Sequence, residues 1–222
     1  MNDEGEKMEK FLLVDGSNVL HRAFYALPLL TNRQGEYTNA VYGFMVMLEK
    51  LLQEVNPTYV AICFDKSRIT FRSAVYEQYK AQRQATPAEL SPQFELIKEV
   101  LAVYGIKALE LDQYEADDII GTLAKLGEKQ NCQNIIGSGD KDLLQLISPQ
   151  TTVQLMKKGI SEKENFDLAK MMERYGLTPQ TFVDFKALMG DSSDNIPGVA
   201  GIGEKTALKL LHAYHDLDDI YD

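Results

Sequence analysis

"FLLVD", residues 11 to 15, is four apolar residues closed by an aspartate, with Gly16 next. A short apolar run stopped by turn-forming residues reads as a buried strand. "TYVAICFD" (58 to 65) repeats the pattern and again ends in aspartate. "IKALEL" (106 to 111), "NIIGS" (134 to 138) and "TTVQLM" (151 to 156) are three more such runs. Helical patterns lie between them. Residues 38 to 55 carry apolar side chains at 41, 44, 45, 48, 51, 52 and 55, a stripe that stops near Asn56-Pro57. Residues 91 to 104 read as a helix capped by Ser91 with Pro92 at its first position. Helices are also expected over 115 to 130 and from about 141. Strands alternating with helices predict an α/β fold, a mainly parallel central sheet flanked by helices.

Ligands of such sheets bind beyond the carboxyl ends of the strands. Acids collect at that edge. The first strand ends at Asp15 and the second at Asp65. The third leads into "YEADD" (114 to 118), with Glu115, Asp117 and Asp118. The fourth leads to Asp140 and Asp142, and Asp191 and Asp194 stand near the end of the chain. Acids do favour the first turn of a helix, but Asp15 and Asp65 finish strands. Like charges in one pocket repel and raise each other's pKa, so these carboxylates imply bound cations. Oxygen ligands without His or Cys favour Mg²⁺, with Mn²⁺ able to substitute. Nine acids suggest two ions, partly through water. Two ions about 4 Å apart are the arrangement for in-line phosphodiester cleavage.

The bulk composition fits this reading. The 222 residues suit one large domain or one domain and part of another, and 45% are apolar. Net charge is −10, which taken alone argues against nucleic acid. Setting the nine acids aside leaves it near −1. Cys63 and Cys132 show neither zinc spacing nor a disulfide framework, which fits a reducing cytoplasm. No stretch approaches the roughly 18 apolar residues of a membrane span. Residues 1 to 10, "MNDEGEKMEK", are polar and read as a disordered leader rather than a signal peptide.

Two further segments carry DNA-binding chemistry. "KSRITFRSAVYEQYKAQR" (66 to 83) holds five cations against one acid. On a helix Arg72, Tyr76, Tyr79, Lys80 and Arg83 share one face, with cations for phosphates and rings for bases. A solvated helix packing its tyrosines on the core is the plainer alternative. "GVAGIGEKTA" (198 to 207) sets Gly198, Gly201 and Gly203 before a helix, where backbone amides, Lys205 and Thr206 could meet a phosphate. A plain connector would look the same, and the spacing is not that of a nucleotide P-loop.

Together, "LLVDGSNVLHRAFYAL", "VAICFD", "FRSAVYEQYKAQR", "YEADDIIGTLA", "GSGDKDLLQL" and "ALMGDSSDNIPGVAGIGEKTALKLL" resemble the bacterial 5′-nuclease family. This is the branch of the flap endonuclease superfamily that includes the N-terminal 5′→3′ exonuclease domains of bacterial DNA polymerase I. The resemblance spans Phe11 to Asp222. It implies a PIN-like fold over 11 to 177, a helical arch above the metals, and a helix–three-turn–helix (helix-hairpin-helix) module over 178 to 222, often with bound K⁺. Asp15, Asp65, Glu115 and Asp117 match the tighter metal site, and Asp140, Asp142, Asp191 and Asp194 the second. Asp118 matches an acid of the bacterial branch. Arg22, Arg72, Tyr79, Lys80 and Arg83 match DNA-contacting and arch positions, and Gly201 and Gly203 match the hairpin. Asp117, Asp140, Lys80 and Arg83 are the expected catalytic groups, Lys80 stabilising the scissile phosphate and Arg83 helping to hold it.

The implied activity is Mg²⁺-dependent removal of 5′ flaps and RNA primers and degradation from 5′ ends. The implied partners are DNA with a 5′ flap, nick or 5′ end and RNA–DNA primer junctions, with no membrane. The protein is expected to be a cytoplasmic monomer, with a polymerase as a possible C-terminal fusion. The family's domain continues beyond Asp222, so the module is expected to be truncated. The rivals are a silent DNA-junction binder of the same fold and an RNA-directed PIN-type ribonuclease.

Overall fold

The computed structural model describes residues 8–157 and 162–222. Most of the expected leader, residues 1 to 7, lies outside the described residues. Lys10 already opens the first strand.

Six strands form one sheet: β1 (Lys10–Asp15), β2 (Tyr59–Cys63), β3 (Lys107–Leu109), β4 (Gln133–Ser138), β5 (Thr151–Met156) and β6 (Lys163–Phe166). Their order is β3-β2-β1-β4-β5-β6. All neighbours are parallel except β5 and β6. The helices are α1 (Gly16–Ala26), α2 (Asn39–Val55), α3 (Phe71–Val75), α4 (Ser91–Val103), α5 (Ala116–Lys129), α6 (Leu168–Tyr175), α7 (Pro179–Met189), α8 (Glu204–Tyr214) and α9 (Leu217–Tyr221). A small hairpin, β7 (Gly190–Asp191) with β8 (Ile196–Pro197), separates α7 from α8. Among the described residues no helix is long and apolar enough to cross a membrane.

The apolar strands are buried on both faces because successive side chains point to opposite sides. Leu12 and Val14 face a core built with α1, α2 and α4. Leu13 between them faces the other core, built with α5, α6, α7 and α8. β1 sits at the centre, where the chain turns from adding strands on one side to adding them on the other. That switch point between β1 and β4 opens a crevice at the carboxyl ends. The register pairs Asp15 with Cys63 and Val14 with Gly137. Asp15, Asp65 and Asp140 are therefore delivered to one edge. Gly16 allows the chain to turn directly from β1 into α1, since a Cβ there would lie 2.6 Å from the Phe64 ring.

Gln93 locks the α2 start. Thr38, the residue before α2, makes no side-chain cap bond. Instead the fully buried Gln93 reaches over from α4. Its Oε1 accepts from Ala40 N at 2.8 Å and Val41 N at 3.2 Å, and its Nε2 donates to Asn39 Oδ1 at 3.1 Å and Glu89 O at 2.9 Å. Gln93→Leu leaves two buried amides without acceptors, so it should cost about 2–4 kcal/mol. Urea unfolding of the two proteins measures this; an unchanged midpoint would contradict it.

Three sequence expectations change. Residues 66 to 83 do not form one helix: only Phe71–Val75 is helical. Helices this short are marginal alone, and Tyr76 to Arg83 bond instead to the loop at 192 to 195. The helix expected from 141 is a 3₁₀ turn, Lys141–Leu146. Ser91 is the first residue of α4 rather than its cap.

Candidate active site

Each acid at the strand edge is held by a local bond that also shapes the backbone. Asp15 ends β1 and caps α1, accepting from Asn18 N at 3.0 Å. Its other oxygen accepts from Ser138 Oγ at 2.7 Å, at the end of β4. Ser138 Oγ in turn accepts from Asp140 N at 3.0 Å. Asp65, two residues past β2, accepts from Ala116 N at 2.9 Å and so ties β2 to the start of α5. Glu115 precedes that helix and Asp117 stands in its first turn.

Asp15, Asp65, Glu115, Asp117 and Asp140 all line one cleft of about 890 Å³. Burial pushes Asp15 up to about 7, with Asp65 and Asp140 adding repulsion. Asp117 is pushed well above the usual carboxylate range, by burial first and then by Asp15, Asp140 and Asp65. A chain that needed these acids only for folding would not crowd five of them around one cleft, with Asp15 and Glu115 buried. The arrangement fits divalent cations with oxygen ligands. Among the described residues, no three of the His, Cys, Asp and Glu side chains are grouped to clasp an ion by themselves.

Cations face the acids across the cleft. Lys80 Nζ lies 3.0 Å from Glu115 Oε1 and 3.7 Å from Asp194 Oδ2. The Tyr79 hydroxyl lies 3.0 Å from Glu115 Oε2 and 3.1 Å from Asp194 Oδ2. Arg83 Nη2 lies 2.6 Å from Asp194 Oδ1. Burial and these two acids raise the Tyr79 pKa, so it stays a hydroxyl. His21 also lines the cleft, edge-on to Phe94 at 5.5 Å between ring centres.

The remaining acids stand apart. Asp118 is gripped by Arg72 through two bonds of 2.7 and 2.8 Å. Burial would raise its pKa, but Arg72 and the Glu115 amide hold it below the usual value. Asp142 and Asp191 flank Lys186, whose Nζ is 2.8 Å from Asp142 Oδ1 and 2.5 Å from Asp191 Oδ2. Against burial, Lys186 and Ser193 bring Asp191 down to about 2. So the nine acids do not share one pocket: five line the cleft, while Asp118 pairs with Arg72, Asp142 and Asp191 share Lys186, and Asp194 pairs with Arg83 and Lys80. Sequence reasoning missed Lys186. Its only signal was a single cation on a helix that buries Phe182, Phe185 and Leu188, just before Asp191.

The expected DNA-contacting residues also divide. Arg72, Tyr79, Lys80 and Arg83 bond to the acids as described. Tyr76 donates to Asn195 O at 3.3 Å. Arg22 is not in the cleft lining. It donates to Lys157 O and packs on Gly139, and its Nε is buried without a partner. Gly203 precedes α8, with Lys205 and Thr206 exposed in the first turn. Gly201 is left-handed at φ +80°. Gly198 packs on the β7 start, where a Cβ would lie 2.3 Å from the Met189 carbonyl carbon. This hairpin forms a second exposed surface, apart from the cleft lining.

Comparison with known proteins follows the same outline. A family model for the 5′-3′ exonuclease N-terminal resolvase-like domain matches residues 10–176, and one for the 5′-3′ exonuclease C-terminal SAM fold matches 177–222. DNA polymerase I of Bacillus caldotenax is 53% identical over 212 residues, which is 96% of this chain and 24% of that protein. The chain thus spans about a quarter of that relative's length. T5 5′-exonuclease with bound zinc has a similar fold, with a TM-score of 0.76 at 23% identity, covering 96% of this chain and 78% of that one. A variant bacteriophage T5 flap endonuclease in a pseudo-enzyme-product complex with DNA and metal ions gives a TM-score of 0.75 at 23% identity, over 96% of this chain and 78% of that one.

Proposed function

The chain belongs to the 5′-3′ exonuclease family, and on that premise we propose that it is a Mg²⁺-dependent, structure-specific 5′ nuclease. It hydrolyses phosphodiesters at 5′ flaps, nicks, 5′ ends and RNA–DNA primer junctions, acting as both exonuclease and flap endonuclease. One observation carries this reading. Five carboxylates from four strand ends converge on one cleft at the switch point of the sheet, and Lys80 and Arg83 face them.

In this reading Asp15, Asp65, Glu115, Asp117 and Asp140 hold the metal ions. Asp142, Asp191 and Asp194 complete the second site once Lys186 and Arg83 give way, and Asp118 acts from outside it through Arg72. When bound, the ions activate water and neutralise charge on the phosphate and the leaving oxygen. Lys80 and Arg83 bind the scissile phosphate and position it over the acids. Tyr79 and Arg72 set the orientation of Glu115 and Asp118. Half-buried Asp117 and Asp140, each repelled by Asp15, fix the line of attack. The start of α8, with Gly198, Gly201, Gly203, Lys205 and Thr206, takes duplex phosphates, with K⁺ at the glycine turn. Tyr76 and Arg22 extend the contact surface.

The domains are then a catalytic unit over 11–177 and a duplex-gripping module over 178–222. Two buried, unpaired cysteines support a reducing cytoplasm.

The test compares a labelled 5′-flap duplex, a blunt duplex and a single strand, each with Mg²⁺ and with EDTA. Cleavage near the flap junction, lost in EDTA, is expected. Flap binding with no cleavage would favour a silent junction binder, and preference for single-stranded RNA would favour an RNA-directed enzyme.

A further inference from the structure

Residues 76 to 83 are closed onto the loop at 191 to 195 by polar contacts alone. No residue in either segment is buried. Lys80 N donates to Asp194 O at 2.9 Å, Gln82 Nε2 to Ser192 O at 2.7 Å, and Asn195 Nδ2 to Gln78 O at 2.7 Å. Tyr79, Lys80 and Arg83 add their bonds to Asp194, and the first two also hold Glu115. Two residues of this joint are left-handed, Lys80 at φ +54° and Asn195 at φ +59°. That conformation is unfavourable for a lysine, which has no short polar side chain to offset it. The joint therefore has no apolar anchor and a strained residue at its centre.

Its cations sit on acids assigned above to metal. We propose that residues 76–83 form an autoinhibitory latch, closed over the cleft by Tyr79, Lys80 and Arg83 on Glu115 and Asp194, which divalent metal opens before any DNA arrives. The latch rests on the metal-site reading given above. Lys80 and a divalent ion compete for Glu115, and Arg83 and an ion compete for Asp194. Release of both frees the two cations to meet a phosphate. Coupling is reciprocal: if metal weakens the latch, then weakening the latch tightens metal binding. The device keeps the phosphate-binding cations neutralised until the site is loaded.

The experiment uses the full chain and Mg²⁺ alone, without DNA. Hydrogen exchange is followed at the amides of 76–83, and Mg²⁺ affinity is measured by calorimetry. The variant pair is Gln82→Ala with Asn195→Gly. Each removes a latch bond without touching a carboxylate, and glycine tolerates the left-handed backbone at 195. Saturating Mg²⁺ is expected to accelerate exchange at Tyr79, Lys80 and Arg83. The double variant should bind Mg²⁺ about three- to tenfold more tightly, the combined worth of two exposed hydrogen bonds at the weak end of their range. Mg²⁺ binding with unchanged exchange across 76–83, or equal affinity in the variant, overturns the latch and leaves the metal site standing. Absence of Mg²⁺ binding overturns both.

Discussion

Asp117→Asn should abolish cleavage and, without metal, raise the melting temperature. The two effects have one cause. Asp117 is half-buried beside Asp15, Asp65 and Asp140, and its pKa is driven up by desolvation and their repulsion. Asparagine keeps the shape and removes the charge, so the metal-free fold is relieved. Each ~1 kcal/mol relieved raises Tm by roughly 2–4 °C in a domain of this size. The same change removes an oxygen ligand and much of the reason for cations to enter, so the rate should fall by at least ~10³-fold, comparable to losing a major electrostatic contribution. Melting in EDTA and single-turnover cleavage in Mg²⁺ measure the pair. A variant that is less stable and still active would mean that Asp117 is a structural acid.

Lys80→Ala should lower single-turnover cleavage by about 10²–10³-fold while changing KM far less. Lys80 is the cation nearest the cleft acids, 3.0 Å from Glu115, and only partly exposed. A lysine there has two possible roles. If it stabilises charge that builds on the phosphate during attack, its loss appears in kcat. If it merely neutralises Glu115 in the resting protein, its loss leaves kcat nearly intact and lowers Tm. Arg83, which is more exposed and bonds Asp194 rather than Glu115, serves as the comparison; Arg83→Ala should weaken substrate binding more than it slows the chemical step.

Much of this was legible in the sequence where local patterns decide structure. β1, β4 and β5 are apolar runs with abrupt polar ends, and the structure keeps their bounds to within a residue. The convergence of Asp15, Asp65, Glu115, Asp117 and Asp140 followed from the parallel sheet, because each ends or follows a strand. α1 was not read, since Asp15 both ends β1 and caps the helix, leaving no linker between them. β6 was missed as well: "KENF" is four residues with a single buried one, and only the antiparallel pairing to β5 makes it a strand.

The larger gaps concern contacts between distant segments. The continuous helix over 66 to 83 failed because bonds to 192–195 win over local propensity. Gln93 carried no sequence signal and Lys186 only a faint one, since their partners lie on other elements. Arg22, matched to a DNA-contacting position, donates to Lys157 and packs against Gly139, partners that its own segment could not show.

The most direct test of the two-metal account is single-turnover cleavage of a labelled 5′-flap duplex as Mg²⁺ is titrated from an EDTA baseline. The account predicts no cleavage in EDTA, a rate that rises more steeply than first order at low Mg²⁺, and loss of the whole curve in Asp117→Asn. Cleavage that persists in EDTA, or a flap that binds tightly at saturating Mg²⁺ and is never cut, would contradict it.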